Sequence, residues 1–107
     1  MSTRPLFEYD IYFPLGHPNA ADALVRWKRE LTHRFGGITD FRHRSEGAWK
    51  VGGVTFHDEI VLLRVLGDDR DNAREFLSRM AGELERTLEE REILIIERAI
   101  VALGTNT

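Results

Sequence analysis

An α+β fold with an antiparallel sheet is what this 107-residue chain predicts, and three observations carry it. Segments 6–13, 54–66 and 92–103 alternate in polarity or are rich in β-branched residues, as strands are. Segments 20–35 and about 71–90 place apolar residues at the three- and four-residue spacing of amphipathic helices. With one more short strand after the first helix, the order is β-α-β-β-α-β.

The first strand, LFEYDIYF, sets Phe7, Tyr9, Ile11 and Phe13 on one face and Leu6, Glu8, Asp10 and Tyr12 on the other. PLGHPN ends it, since two prolines, a glycine and an asparagine mark a loop. Asn19 stands where a helix cap is expected, with Asp22 at the favourable positive end of the dipole. Ala20, Leu24, Trp27, Leu31 and Phe35 then form one stripe, and Gly36-Gly37 close the helix. ITDFRHRS reads as a strand with Ile38 and Phe41 on opposite faces. The EG pair at 46–47 and Gly52-Gly53 read as turns around AWKV, so the sequence has room for an extra hairpin near residues 45–53.

VTFHDEIVLLRVL reads as one long strand over 54–66. GDDRDN supplies aspartates to cap the second helix, whose apolar side is Ala73, Phe76, Leu77, Met80, Leu84 and Leu88. EILIIERAIVAL is the last strand. Two helices on an antiparallel sheet make a two-layer sandwich, and this order gives most simply the ferredoxin-like fold over one domain, residues 1–107. A related dimeric α+β barrel shares the same strand order.

A two-layer sandwich leaves one sheet face to solvent, and that face should be polar. Here Val61, Leu63 and Val65 alternate with Ile60, Leu62 and Leu66, so both faces are apolar. The same holds for Ile93, Ile95, Ala99, Val101 and Leu103 against Leu94, Ile96 and Ile100. Such a patch predicts self-association through the open sheet face, with a homodimer as its simplest form. The plain alternative is that the extra hairpin or a terminus folds over it. Glu8 and Asp10 can pair across strands with Arg64 or Arg98, which reads as a ladder fixing register rather than a catalytic carboxylate pair.

Composition excludes several activities. There is no cysteine, hence no disulfide, thiolate metal site or cysteine nucleophile. Net charge is −3, which supplies no general attraction for nucleic acid or anionic lipid. MSTRPLFEYDIYF lacks the apolar core of a signal peptide, and no run approaches a membrane span. A cytoplasmic protein with no membrane partner is expected.

The stretch FGGITDFRHRSEGAW, residues 35–49, looks most like a functional signature. A phosphate cradle opens a helix, however, and these glycines close one. Arg42, His43, Arg44 and Lys50 have no stacking aromatic cluster beside them, which disfavours RNA and suits a charged edge strand. His17, His33, His43 and His57 show no metal-ligand spacing, so neither a metal nor a cofactor is expected. His57 and Glu59, with His17, are the only acid–base candidates; His17, Tyr9 and Trp27 are the ligand-contact candidates. Tyr9 and Glu97 also interrupt otherwise apolar strand faces.

The reading is a small oligomeric ligand-binding or regulatory domain. The alternative is a small-molecule enzyme of the dimeric α+β barrel type using His57 and Glu59. Acylphosphatase-type chemistry needs an arginine- and glycine-bearing loop that PLGHPN lacks, and metal chaperones of this fold need CxxC.

With these elements placed, EYDIYFPLG, Trp27, FGGIT, GAW, HDEIVLLRV and REILII follow a familiar spacing. The chain resembles a group of small bacterial proteins of unknown function that carry an FGG-x-T … G-x-W pattern. Arg91 stands where that group often has glutamine. The resemblance implies the ferredoxin-like fold and lends no catalytic residues.

Overall fold

The computed structural model describes residues 1–43, 49–56 and 59–104. Its elements are β1 (Ser2–Pro14), α1 (Ala20–Phe35), β2 (Thr39–His43), β3 (Trp49–Val51), β4 (Val54–Phe56), β5 (Ile60–Gly67), α2 (Arg70–Thr87) and β6 (Ile95–Gly104). Four strands form one sheet in the order β2-β5-β1-β6, every neighbour antiparallel, and β3 and β4 form a separate two-stranded sheet. The α+β class and the antiparallel sheet are therefore as the sequence predicts.

Both helices bury their apolar stripes on one face of the four-stranded sheet. Tyr9, Ile11 and Phe13 of β1 and Val61, Leu63 and Val65 of β5 meet Trp27 and Leu31 of α1 and Phe76, Leu77, Met80 and Leu84 of α2. Ile11, Phe13, Leu31, Leu63, Met80 and Leu84 lose all contact with water, each contributing roughly 1.5–3 kcal/mol by burial.

The caps are only partly those expected. Asp69 caps α2, its Oδ1 accepting the Asn72 N–H at 3.1 Å. Gly36 closes α1 in the left-handed conformation at φ 82°, its N–H bonding the Thr32 carbonyl at 2.9 Å. Asn19 makes no side-chain cap. Its N–H instead donates to His17 Nδ1 at 3.0 Å, so the imidazole organises the entry to the helix.

Residues 54–66 are not one strand. Val54–Phe56 belongs to the small sheet and Ile60–Gly67 to the large one. The two-residue turn Gly52-Gly53, with φ of 54° and 81°, folds β4 back on β3, as positive φ at both positions of a tight hairpin allows. β3 and β4 then lie over one end of the open face, where Val51 and Val54 join Leu62, Leu94 and Ile96 in packing against Tyr12 and Ile60. The expected turn at 46–47 lies outside the described residues.

β1 begins four residues before the predicted start. Ser2–Leu6 pair with Ile100–Gly104 of β6, whereas β5 reaches β1 only from Phe7 onward. Pro5 hides this extension in the sequence, yet it is tolerated where β1 pairs on one side only among the described residues. The result is a two-stranded ribbon extending past the sandwich, along a molecule 48 Å long and 21–25 Å across. Val101 and Leu103 on it are 61% and 63% exposed.

Candidate functional site

The open sheet face carries the densest polar network among the described residues. Asp10 stands opposite Arg64 across the β1–β5 pair, and Glu8 opposite Arg98 across the β1–β6 pair. Strand alternation brings all four to this face. Arg64 grips Asp10 with two bonds, Nε to Oδ1 at 2.8 Å and Nη2 to Oδ2 at 3.1 Å. Arg98 Nη1 reaches diagonally to Asp10 Oδ2 at 2.6 Å and also meets Glu8 Oε1 at 3.1 Å. Arg64 Nε lies 3.1 Å from that same Glu8 oxygen, which closes the ring of charges.

Two acids and two bases cancel, so the network is neutral. Asp10 is only 1% exposed although it lies on the face without helices, because the two guanidiniums cover it. Burial pushes its carboxyl up, but hydrogen bonds from Arg64 and then Arg98 outweigh this and hold it below the ordinary carboxylate range. The expected cross-strand ladder is present in this form.

Around the quartet the face is apolar. Phe41 and Leu66 are each 45% exposed, and Leu6, Leu62, Ile96 and Ile100 are half-buried. Arg64 also lies over the Phe41 ring, 5.2 Å from its centre, which ties the quartet to this rim.

A second cluster lies on the helix side. Tyr9 and Glu97 are direct partners across β1 and β6, and Arg74 of α2 holds Glu97 with two bonds at 2.9 and 2.6 Å. These residues line a cleft of about 320 Å³ with Ser78, Glu92 and Ile95. The Tyr9 hydroxyl is buried and lacks a partner in hydrogen-bonding geometry, though Glu97 is near enough to act on its charge. Burial first, and Glu97 second, push this phenol up to about 12. Hydrogen bonds from Arg74 hold Glu97 below the ordinary range. Tyr9 and Glu97 were legible as polar interruptions of apolar faces. Arg74 was not, since it flanks the stripe of α2 without breaking its period.

The remaining candidates fall in different places. His17 is half-buried, and its Nε2 donates to Glu89 Oε2 at 3.2 Å while Nδ1 accepts from Asn19. It therefore stitches the β1–α1 loop to the end of α2. Glu59 pairs with Arg42 at 3.2 Å. It shares with His17 a cleft of about 290 Å³ that Glu89, Glu90 and Glu92 also border. His57 lies outside the described residues, so its expected meeting with Glu59 does too. Trp27 is buried edge-on against Phe76, with ring centres 6.4 Å apart. Arg44 is outside the described residues. No group of three or more histidine or acidic side chains among the described residues is spaced to hold a metal ion. No helix among them is long and apolar enough to cross a membrane.

Comparison with known protein families, characterised proteins and solved structures finds no match to this chain.

Proposed function

We propose that the chain is a small interaction domain of ferredoxin-like topology that acts as a homodimer, joined through its open sheet face, in the cytoplasm. The strand order β2-β5-β1-β6, with the hairpin β3–β4 as an insertion, supports that topology. The FGGIT and GAW resemblance to small bacterial proteins of this kind belongs with the same reading.

One observation carries the dimer. The open face presents a self-neutralised ionic quartet inside an apolar rim that includes the half-exposed Phe41 and Leu66. A net charge at the centre would oppose a second copy of the same face, and a neutral quartet does not. An apolar rim gains by being covered. Among the described residues, the hairpin covers the end of the face near Tyr12 and Ile60 and leaves Phe41 and Leu66 half-exposed. A two-fold interface lets one patch serve both copies.

Light scattering at micromolar concentration should return twice the chain mass, and Leu66→Glu should return the mass of a single chain. Leu66 is exposed enough for that change to leave the fold intact. A single-chain mass for the unaltered protein removes the proposal.

A further inference from the structure

We infer that the two copies of this dimer run antiparallel, the β3–β4 hairpin of each seated against the β1–β6 ribbon of the other. The inference rests on the open-face reading and fixes its geometry. The hairpin stands above the open face at the end marked by Tyr12, Ile60 and Leu94. The ribbon Ser2–Leu6 with Ile100–Gly104 extends the same face at the opposite end, beyond the last residue of β5. One end of the face is thus raised and the other overhangs.

Only one face-to-face arrangement matches such ends. If the copies lay parallel, hairpin would meet hairpin, holding the sheets apart over the quartet and leaving both ribbons uncovered. Reversed, each hairpin meets a ribbon, and a two-fold axis through the quartet forms the contact twice. The ribbon needs such a contact. An isolated two-stranded hairpin is marginal in water, and this one shows apolar side chains on both faces. Leu6, Ile100 and Ala102 lie on the open side, and Pro5, Val101 and Leu103 on the other.

Charge permits the contact. Residues 100–104 of the ribbon, IVALG, carry no charge. The hairpin's exposed cross-strand pair is Lys50 and Thr55, direct partners across β3 and β4, and Thr55 also borders the cleft of His17 and Glu59. Lys50 and the ribbon's Arg4 are the like charges here, and both are long enough to carry their charged ends to the rim.

The absence of cysteine makes cross-linking a clean test. Thr55→Cys and Ala102→Cys would be purified separately, checked by circular dichroism, mixed under reducing conditions and then oxidised. Peptide mapping should find a disulfide joining position 55 of one variant to position 102 of the other. It should form at least tenfold faster than cross-links within either variant alone. Lys50→Cys should substitute for Thr55→Cys if the latter folds poorly. Faster cross-linking of either variant with itself overturns the antiparallel arrangement, and so does a dimeric mass without the mixed disulfide. A single-chain mass before oxidation defeats the open-face reading itself, by a separate measurement.

Discussion

Asp10 and Arg64 face each other across β1 and β5, and the guanidinium engages both carboxylate oxygens, at 2.8 and 3.1 Å. Bidentate pairing of this kind fixes both distance and orientation. It also fixes register: a slip of one residue would carry Asp10 into the helix-facing core and leave Arg64 unpaired. Arg98 completes the arrangement from the other side at 2.6 Å.

Asp10→Asn should therefore destabilise the protein by about 2 kcal/mol, since two guanidiniums lose their shared counter-charge while both remain partly solvated. The pH dependence follows in sign. The folded carboxyl lies below its ordinary value, so its contribution is present above about pH 4 and is lost as pH falls through the depressed folded value. Urea midpoints measured from pH 6 down to pH 2 should fall more steeply for the parent than for Asp10→Asn. Parallel curves would show that the quartet contributes nothing to acid stability.

Tyr9 should behave oppositely. Its phenol is pushed up to about 12, so the neutral form is favoured in the folded state. That stability is present below the unfolded value near 10 and is lost as pH rises through the folded one. Tyr9→Phe removes a buried hydroxyl with no partner in bonding geometry, so at pH 7 the change should cost less than about 1 kcal/mol. Between pH 10 and 12 the variant should lose less stability than the parent. A loss of several kcal/mol at neutral pH would mean that the hydroxyl does bond to Glu97.

The parts of this molecule that were legible in the sequence are those governed by period. Alternation separated Tyr9 from Asp10, and the helical stripe found Leu31 and Leu84, because burial acts on every residue of a face. The pairing of Glu8 and Asp10 with Arg64 and Arg98 follows from the strand order, which places β1 between the two arginine-bearing strands. The division of 54–66 left no such signal, since VTF and IVLLRVL are both good strand sequences and only the turn at Gly52-Gly53 redirects the first. The ribbon was hidden by Pro5, and the His17–Glu89 contact joins residues 72 positions apart with no pattern connecting them.

Gly36 and Gly37 separate backbone strain from packing. A Cβ would meet nothing within 4 Å at either position, but only Gly36 has positive φ, at 82°. Gly36→Ala should lower stability by about 1 kcal/mol through left-handed strain, and Gly37→Ala should leave it unchanged or slightly raised. Thermal melts of the two variants decide this. Equal losses would mean that the helix terminus is not held by Gly36 alone.

The hairpin offers a sharper pair. Gly52 and Gly53 both have positive φ, so replacing either by alanine carries a similar backbone cost, about 1 kcal/mol. They differ in what a Cβ would meet. At Gly53 there is nothing within 4 Å, whereas at Gly52 it would lie 3.2 and 3.3 Å from the two terminal carbons of Leu94. Leu94 is part of the cluster that holds the hairpin on the open face, and its carbonyl accepts the Tyr12 N–H at 3.0 Å. Gly52→Ala must therefore displace Leu94 or lift the hairpin, adding about 1 kcal/mol beyond the loss in Gly53→Ala. The excess should be accompanied by faster amide exchange in β3 and β4 and by increased Tyr12 solvent exposure. Should the two variants melt together with unchanged exchange, the hairpin is not anchored on Leu94, and its cover over Tyr12 and Ile60 must come from Val51 and Val54 alone.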